Sequence, residues 1–422
     1  MKINSIRIQN FKGFEDKEFS FDPHMSVLIG DNASGKTSVL DALSFVLGTF
    51  FLGIEGVASR PLKNHEKRKV IFSPESVEIQ LPFKISVNQT LAGQTFNWYR
   101  DTVKESGGAT SYKNAQELIE LAKAYAQNVR SGGDYSLPLI AYYGTERLAQ
   151  EQHKKLAYKK QGSRFDGYDG ALDPRSFRRQ FLEWFKTFED SILKFDKNDA
   201  LYKAFTGVIT SMVPSWTSIR FSWTADDMLG QLDNGQWMSF NMLSDGYQNI
   251  IRLAADIAYR AITLNPHLGA DAVKETEGVV LIDEIDMHLH PSWQRNIIAD
   301  LKRTFPKIQF IVTTHSPFIV QSLRTEELIN LDGQVNEPPF TKSIEEIAET
   351  DMQVKDVKRS QRFLELQRLA SEYFDLIEQG KTAATDSKTD DIKSQLDEIE
   401  LEFSDDPVYV ALMKAERKTG LR

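Results

Sequence analysis

Two neighbouring carboxylates, Asp283 and Glu284, follow the four apolar residues at 279–282. Such a run is typical of a buried parallel strand, whose C-terminal edge would present both side chains. The first carboxylate suits Mg²⁺, which prefers hard oxygen ligands and keeps several of its waters. The second could polarise a water molecule for attack on a γ-phosphate. A buried strand can also end in Asp-Glu by chance, so this pair alone does not decide the chemistry.

A glycine-rich loop near the N-terminus matches the pattern G-x-x-x-x-G-K-[ST] at every fixed position, over residues 30–37. It lies between an apolar strand at 25–29 and a helically spaced stretch at 37–47. Backbone N–H groups of such a loop cradle phosphates, a lysine adds charge, and a threonine can ligate Mg²⁺. A chance glycine loop is the alternative, but strand, loop and helix in this order favour a nucleotide site. The candidate nucleotide-binding residues here are Gly30, Asn32, Gly35, Lys36, Thr37 and Ser38.

Two further stretches flank the carboxylate pair. In the upstream one, at 241–248, Ser244 would cap a helix, and Gly246 would leave backbone N–H groups accessible at its positive end. Taken alone, an ordinary capped helix is the simpler explanation. The downstream stretch is an apolar strand at 308–313 followed by His315, and a lone histidine in that place is usually structural.

Together these motifs resemble the ABC-type ATPases of the SMC and RecF group. Residues 243–248 are similar to the Leu-Ser-Gly-Gly-Gln signature of that group, with Asp245 in place of the first glycine and Tyr247 inserted. His315 matches the switch histidine that senses the γ-phosphate, and residues 286–290 occupy the D-loop position. No glutamine stands at the end of the strand at 137–143 for the group's Q-loop, and neither Gln150 nor Gln152 is assigned to it.

The resemblance implies ATP and Mg²⁺ as ligands and gives each motif a role. Glu284 and His315 would be the catalytic residues, while Thr37 and Asp283 would hold the metal ion. ATP would lie between the two subunits of a homodimer, and the partner subunit would contact it through Ser244, Gly246 and Gln248. Such dimers would assemble into higher oligomers. Because Asp245 would place a carboxylate near the γ-phosphate, turnover is expected to be slow and ATP to serve mainly as a structural switch.

The composition of the 422 residues excludes several classes of protein. The absence of cysteine rules out disulfides and thiolate metal sites, and fits a reducing cytoplasm. No stretch approaches about 18 uninterrupted apolar residues, so no membrane span or membrane partner is expected. Met1 leads directly into a mixed strand rather than into a secretory signal. We therefore expect a cytoplasmic protein.

The formal net charge of −9 argues against a protein that coats nucleic acid with its whole surface. Two local basic stretches, at 63–69 and 153–164, are nevertheless candidates for contact with phosphates. A solvated loop is the simpler explanation for both. Any DNA contact is expected first in the stretch 153–164.

The predicted fold class is α/β: an ABC-type (SMC/RecF-like) P-loop ATPase with an antiparallel β lobe, an inserted helical lobe and a C-terminal helical appendage. Residues 1–144 would hold the N-terminal half of the core with the P-loop and the β lobe. Residues 145–240 would be a mainly helical insertion, with a hairpin near 218–235. Residues 241–335 would complete the core with the signature, the Asp-Glu strand and the switch histidine.

Residues 336–422 are predicted to be a helical region for assembly or partner binding. Apolar residues at helical spacing between 363 and 377 form a seam for another helix. A flexible connection is expected at 381–391. A helical cap that folds back on its own core is an equally good explanation of this region.

Within the ATPase group, the chain resembles the PtuA-type ATPase subunits of the Septu antiphage systems, which are also found beside some retrons. The resemblance rests on the P-loop, the segment 141–148, the signature and the Asp-Glu strand with its His-Leu-His-Pro continuation. It implies an ATPase that assembles with and regulates a separate HNH nuclease of the PtuB type, in response to infection or nucleotide state. A reverse transcriptase with its RNA is a further candidate partner. No nuclease constellation is visible in this sequence.

Two other functions are compatible with the core motifs. A RecF-like DNA-repair ATPase would act directly on DNA and need no nuclease partner, so hydrolysis stimulated by DNA would favour it. A transporter ATPase is the weaker alternative, because the long insertions and the charged C-terminal tail offer no obvious docking surface for membrane helices.

Overall fold

The computed structural model of the chain describes residues 1–73, 75–145, 162–174, 184–190, 199–213, 215–334, 337–354, 360–381 and 385–402. They belong to two compact units, Met1–Ile347 and Ala348–Arg422. The strands are β1 Lys2–Phe11, β2 Phe14–Ser20, β3 Met25–Ile29, β4 Lys69–Ser73, β5 Ser76–Ile79, β6 Phe83–Leu91, β7 Gln94–Thr102, β8 Leu139–Tyr143, β9 Trp216–Ser222, β10 Asp227–Leu232, β11 Trp237–Ser239, β12 Gly278–Ile282, β13 Ile308–Thr313 and β14 Leu328–Asn330. The longer helices are α1 Lys36–Phe51, α2 Gln116–Arg130, α3 Asp199–Met212, α4 Asp245–Leu264, α5 Ile297–Thr304, α6 Gln361–Glu378 and α7 Ser387–Glu402. Short α-helical segments are Ala272–Glu275, Pro291–Gln294, Pro317–Val320 and Ile344–Glu346.

A five-stranded parallel sheet organises the first unit, in the order β14-β3-β13-β12-β8. Strands β3, β8, β12 and β13 are buried along their whole length, which is why the sequence shows them as near-continuous apolar runs. Because the strands are parallel, their carboxyl ends meet at one edge of the sheet. The loops after β3, β12 and β13 therefore lie side by side.

The predicted antiparallel β lobe is a four-stranded sheet in the order β2-β1-β6-β7. Along β6, fully buried and half-buried residues alternate, as expected when one sheet face is covered. The lobe is tied to the parallel sheet by Gln309 of β13, whose side-chain amide exchanges hydrogen bonds of 2.7 and 2.8 Å with the backbone of Ile3. These contacts hold the N-terminal end of β1 against β13.

A buried arginine also joins the lobe to helix α1. The guanidinium of Arg100, on β7, lies 4.0 Å from the ring centroid of Phe45 and donates to the hydroxyl of Thr49 at 3.3 Å. Burial lowers the pKa of Arg100 to about 10. Helix α1 is itself buried on nearly every side, so it is an interior helix held between the lobe and the sheet.

Two residues of the basic stretch at 63–69 are buried inside the fold. Lys67 is 1% exposed, and its ammonium donates to the carbonyls of Lys104, Glu105 and Gly107 at 2.7, 2.9 and 2.9 Å. The neighbouring Glu66 is equally buried. Lys67 is therefore an anchor for the 104–107 loop and does not face a phosphate-binding surface.

The insertion at 145–240 is less uniformly helical than predicted in the part that the structure describes. Residues 184–190 and α3 are helical, but β9, β10 and β11 form a three-stranded antiparallel sheet directly before the signature. The hairpin expected near 218–235 thus has an additional strand. Strand β11 has only three residues, too few to show a period in the sequence.

In the second unit, helices α6 and α7 pack against each other around their own core. The apolar seam predicted on α6 meets α7 of the same chain, so a neighbouring helix of this unit covers it. The buried residues of this core are Leu366, Leu369, Ala370, Leu376, Ile392, Leu396 and Ile399.

Helix α7 begins earlier than expected, at Ser387, so the prediction of a flexible connection throughout 381–391 was wrong. The carboxylate of Asp386 accepts the backbone N–H of Thr389 at 3.1 Å, which is N-cap geometry, and starts the helix there. Among the described helices of both units, none has the length and apolar character needed to cross a membrane.

Candidate nucleotide site

The glycine-rich loop connects β3 to α1 through backbone conformations that favour glycine. Gly30 and Gly35 have φ angles of 148° and 103°. A Cβ at Gly35 would also lie 2.6 Å from the ring of Phe14, which begins β2. The lobe therefore packs directly on the loop, and both glycines are needed for its path.

Lys36 spans the loop from the first turn of α1. Its ammonium donates to the carbonyls of Gly30 and Asp31 at 2.7 and 2.8 Å. Burial lowers the pKa of Lys36 from its ordinary value, while nearby carboxylates, Asp332 first among them, oppose this shift. The lysine thus stands in an acidic surrounding that a phosphate group would enter.

Asp332 was not anticipated from the sequence. It follows β14, and its carboxylate accepts the backbone N–H of Asp31 at 2.5 Å. A Cβ at Gly30 would lie 2.7 Å from the same carboxylate. Asp332 therefore holds the start of the glycine-rich loop from the side of β14.

Asp283 is buried at the carboxyl end of β12, and each of its two oxygens accepts a hydroxyl hydrogen. Thr37 donates to one oxygen at 2.9 Å, and Thr313 donates to the other at 2.6 Å. The hydroxyl of Thr37 and the carboxylate of Asp283 therefore bring two hard oxygen ligands together. This donor set fits Mg²⁺.

Glu284 adopts a left-handed backbone conformation, with a φ angle of 47°. This conformation is uncommon for a residue with a side chain, and such outliers cluster at functional sites. The backbone N–H of Glu284 donates to the hydroxyl of Thr313 at 2.7 Å. One threonine hydroxyl thus fixes both members of the carboxylate pair, a link that the sequence analysis missed.

These groups and the exposed His315 border one cleft of about 220 Å³. All the residues predicted to contact phosphate within the same subunit, to hold the metal ion or to act in catalysis line this cleft, with the exception of Gly30. Gly30 does not line the cleft, but its carbonyl accepts a hydrogen bond from Lys36. The lining residues are Asn32, Ala33, Gly35, Lys36, Thr37, Ser38, Asp283, Glu284 and His315.

Asp286 supports His315 from the D-loop position. Its carboxylate accepts the hydroxyl of Thr314 at 2.6 Å and the backbone N–H of His315 at 3.4 Å. Because Asp286 comes three residues after Asp283, the segment after β12 shapes both the Asp283 side and the His315 side of the cleft.

The signature residues lie outside this cleft, at the start of α4. Ser244 is exposed at the N-cap position, and its side chain accepts no hydrogen bond from the helix. Gln248 donates to the carbonyl of Leu243 at 2.9 Å and accepts from Arg252 at 2.6 Å. Gly246 is buried, and a Cβ there would clash with the carbonyl of His288. From the sequence, the glycine was expected only to leave backbone N–H groups accessible. The structure gives a second reason for a glycine here, because the backbone of the D-loop approaches too closely for a side chain.

The stretch 153–164 and the two Q-loop candidates fall largely outside the described residues, which omit 146–161. Of this stretch, Arg164 is described and serves the fold: its guanidinium donates to the carbonyls of Leu264, Gly133 and Tyr135. Arg164 is thus engaged with the protein's own backbone.

The chain is similar in sequence and in fold to several known proteins. The family model described as "AAA domain, putative AbiEii toxin, Type IV TA system" matches residues 25–321. The protein named Retron Vc95 probable ATPase, from Vibrio cholerae serotype O1 biovar El Tor, is 26% identical over 78% of this chain and 73% of the relative. Septu protein PtuA of Bacillus thuringiensis is 26% identical over 86% of this chain and 87% of the relative. Among solved structures, the SMC head domain from Thermotoga maritima matches with a TM-score of 0.41 and 13% identity, over 78% of this chain and 94% of that one.

The family model begins with β3 and ends just after the short helix Pro317–Val320, so it contains the glycine-rich loop, the carboxylate pair and His315. The predicted resemblance to Septu and retron-associated ATPases is confirmed by these relatives. The α/β architecture with its antiparallel lobe also agrees with the predicted fold class. This family model, AAA_21, covers well over half of the chain, so the chain belongs to the AAA_21 family of ATPases.

Proposed function

We propose that this chain is the ATP-binding and ATP-hydrolysing subunit of an antiphage defence complex. The observation that carries the proposal is the single cleft that joins Lys36, Thr37, Asp283, Glu284 and His315. The names of its relatives, a retron ATPase and a Septu protein, support the assignment to defence.

In the proposed reaction, each side chain of the cleft has one task. Lys36 would turn from the loop carbonyls to the β- and γ-phosphates of ATP, and Thr37 with Asp283 would hold Mg²⁺. When bound, Mg²⁺ would neutralise charge on the phosphate oxygens. Glu284 would orient and deprotonate the attacking water, since its backbone is already fixed by Thr313. His315 would contact the γ-phosphate.

A second copy of the chain would complete the site through Ser244, Gly246 and Gln248. Support comes from Ser244, which is exposed and whose side chain does not cap its own helix. The neighbouring Asp245 is exposed too, and its negative charge near the γ-phosphate would slow turnover. ATP binding, more than rapid hydrolysis, would then set the state of the assembly.

The nuclease partner and the place where it binds are the finer parts of the proposal. We assign the nuclease activity to a separate HNH subunit, and we assign assembly to the C-terminal region from residue 336 onward. A reverse transcriptase with its RNA would be an additional component in a retron setting.

Glu284→Gln tests the reaction. It keeps the size of the side chain but removes the base, so turnover should fall by about 100-fold or more while ATP binding persists. Analytical ultracentrifugation should then show an assembly that ATP stabilises. Glu326→Gln is the matched control, because Glu326 is an exposed glutamate outside the cleft. Unchanged hydrolysis in Glu284→Gln would remove this residue from its role.

Affinity purification from the native gene neighbourhood, followed by mass spectrometry, tests the partner. A small HNH protein in stoichiometric amount is the expected result. A bare oligomer whose ATP hydrolysis rises with added DNA would contradict the proposal and favour a RecF-like repair ATPase.

A further inference from the structure

A buried polar chain runs behind the cleft and begins at Tyr143, the last residue of β8. The backbone carbonyl of Tyr143 accepts the N–H of Asp283 at 2.8 Å. Its phenol, which is buried, donates to the carboxylate of Asp256 on helix α4 at 2.7 Å. One residue therefore touches the metal-holding aspartate through its backbone and the signature helix through its side chain.

The chain continues from Asp256 to Arg260, one helical turn further along α4. The same carboxylate oxygen that accepts from Tyr143 also accepts from the guanidinium of Arg260 at 2.7 Å. Arg260 then donates to the carbonyl of Gly167 at 2.8 Å. Asp256 and Arg260 are 3% and 2% exposed, so this ion pair is held away from water.

Two groups of this chain, the phenol of Tyr143 and the guanidinium of Arg260, keep their protons. Burial, together with the charge of Asp256, raises the pKa of Tyr143 well above its ordinary value, so the phenol stays neutral and remains a donor. Burial is the largest single influence on the pKa of Arg260 and lowers it, but the charge and hydrogen bond of Asp256 together with the neighbouring tyrosines raise the pKa above its ordinary value. The phenol and the guanidinium therefore both remain hydrogen-bond donors at physiological pH.

Helix α4 is attached to the same subunit's D-loop at its other end. The side-chain amide of Asn249 donates to the carbonyl of Met287 at 3.1 Å, and Gly246 packs against His288. Ser244 stands about 18 Å along the helix axis from Asp256, since an α-helix rises 1.5 Å per residue. A displacement at either contact would therefore be passed along α4 to the other.

We infer that Tyr143 is a positioning residue that couples Asp283 of each subunit to the signature helix α4 of that same subunit. Occupancy of a subunit's own cleft would thereby set where its Ser244 stands relative to the ATP of the partner. The inference rests on the proposed function, because it requires ATP to be shared between two copies. Its physical basis is the hydrogen bond from the Tyr143 phenol to the carboxylate of the buried ion pair, which would be lost if the pair moved away from β8.

Tyr143→Phe is the sharpest test, because it removes one oxygen and leaves both the backbone bond to Asp283 and the pair of Asp256 with Arg260. The affinity for Mg²⁺-ATP should stay within about twofold of the parent, as only the coupling is altered. The turnover number should fall by about fivefold or more, and ATP-dependent self-association should require correspondingly more protein.

Tyr202→Phe is the matched control. The phenol of Tyr202 also bonds to a carboxylate, that of Glu189 at 3.1 Å, but it lies on α3, away from the cleft. Turnover and self-association should remain at the parent level in this variant. Thermal unfolding of both variants shows whether each has lost a similar amount of stability.

The outcomes separate the inference from the function on which it rests. A parent protein that neither hydrolyses ATP nor associates with it would refute the proposed function. A functional parent whose Tyr143→Phe variant has the same turnover and association would overturn the inference. A Tyr143→Phe variant that loses ATP affinity in step with turnover would overturn it too, because the residue would then only support the pocket.

Discussion

Single hydroxyl and carboxylate groups determine the geometry at the carboxyl edge of the parallel sheet. Thr313 donates to Asp283 and accepts from the backbone of Glu284, so one oxygen sets the position of both acidic residues. Asp332 holds the first peptide of the glycine-rich loop in the same way. The reactive side chains are thus supported by groups that would not touch ATP themselves.

Thr313→Val should separate this support from simple packing. Valine keeps the shape of the fully buried threonine but cannot bond to either acidic residue, so ATP turnover should fall by about tenfold and stability by about 1–3 kcal/mol. Steady-state ATP hydrolysis and thermal unfolding measure the two effects.

Thr276→Val is the control for Thr313→Val. Thr276 is also fully buried, and its hydroxyl donates to the carbonyl of Ala272, outside the cleft. This variant should lose stability and keep its turnover. Equal losses of turnover in the two variants would contradict a specific role for Thr313.

The sequence predicted the reactive residues better than their supports. Lys36, Asp283 and His315 stand in contiguous motifs, and their convergence in one cleft is observed, while their roles stay predictions. Thr313 and Asp332 act on groups that are 30 and 301 positions away in the chain. No local pattern marks such partners, because only the parallel packing of the strands brings them together.

At the scale of elements, the signature helix α4 contacts several other elements of the first unit. Its N-terminus packs on the D-loop so closely that Gly246 has no room for a Cβ. The apolar spacing of 249–262 predicted the helix, but a single sequence could not show which neighbour its first turn would contact. The buried glycine shows that this neighbour is the D-loop.

Gly246→Ala should displace the D-loop rather than unfold the helix. Alanine is favoured over glycine in helices by about 1 kcal/mol, but its Cβ would clash with the carbonyl of His288. We expect ATP turnover and ATP-dependent association to fall by about tenfold or more, measured by hydrolysis assays and ultracentrifugation.

Gly207→Ala is the matched control for the helix effect. Gly207 lies inside α3, and a Cβ there would meet no atom within 4 Å. This variant should gain up to about 1 kcal/mol of stability and keep full activity. If Gly246→Ala kept full ATP turnover and association, as expected for Gly207→Ala, the close contact with the D-loop would not be needed for function.

At the scale of the whole molecule, the proposed sharing of ATP between two copies would give each subunit two different halves of a nucleotide site. The cleft would supply the phosphate and metal side, while Ser244 and its neighbours stand elsewhere on the first unit. The architecture of the core was predictable because buried parallel strands and a glycine-rich loop leave strong patterns. The small sheet β9–β11 was less predictable, since its last strand is too short to show a period.

Mixing two inactive variants tests the sharing of sites between subunits. Lys36→Ala lacks the phosphate lysine, and Ser244→Arg blocks the signature. In a randomly assorted equimolar mixture, about a quarter of all sites would combine an intact cleft with an intact signature. ATP hydrolysis should therefore return to about a quarter of the parent rate, whereas no recovery would contradict a site built from two copies.

In the β lobe, Lys67 fills a cage of three backbone carbonyls. Carbonyl cages of this kind can also bind alkali metal ions in place of their water shell. Here the cation is carried on the chain itself and cannot diffuse away. The anchoring of the 104–107 loop is therefore independent of the potassium or sodium concentration in the surrounding solution.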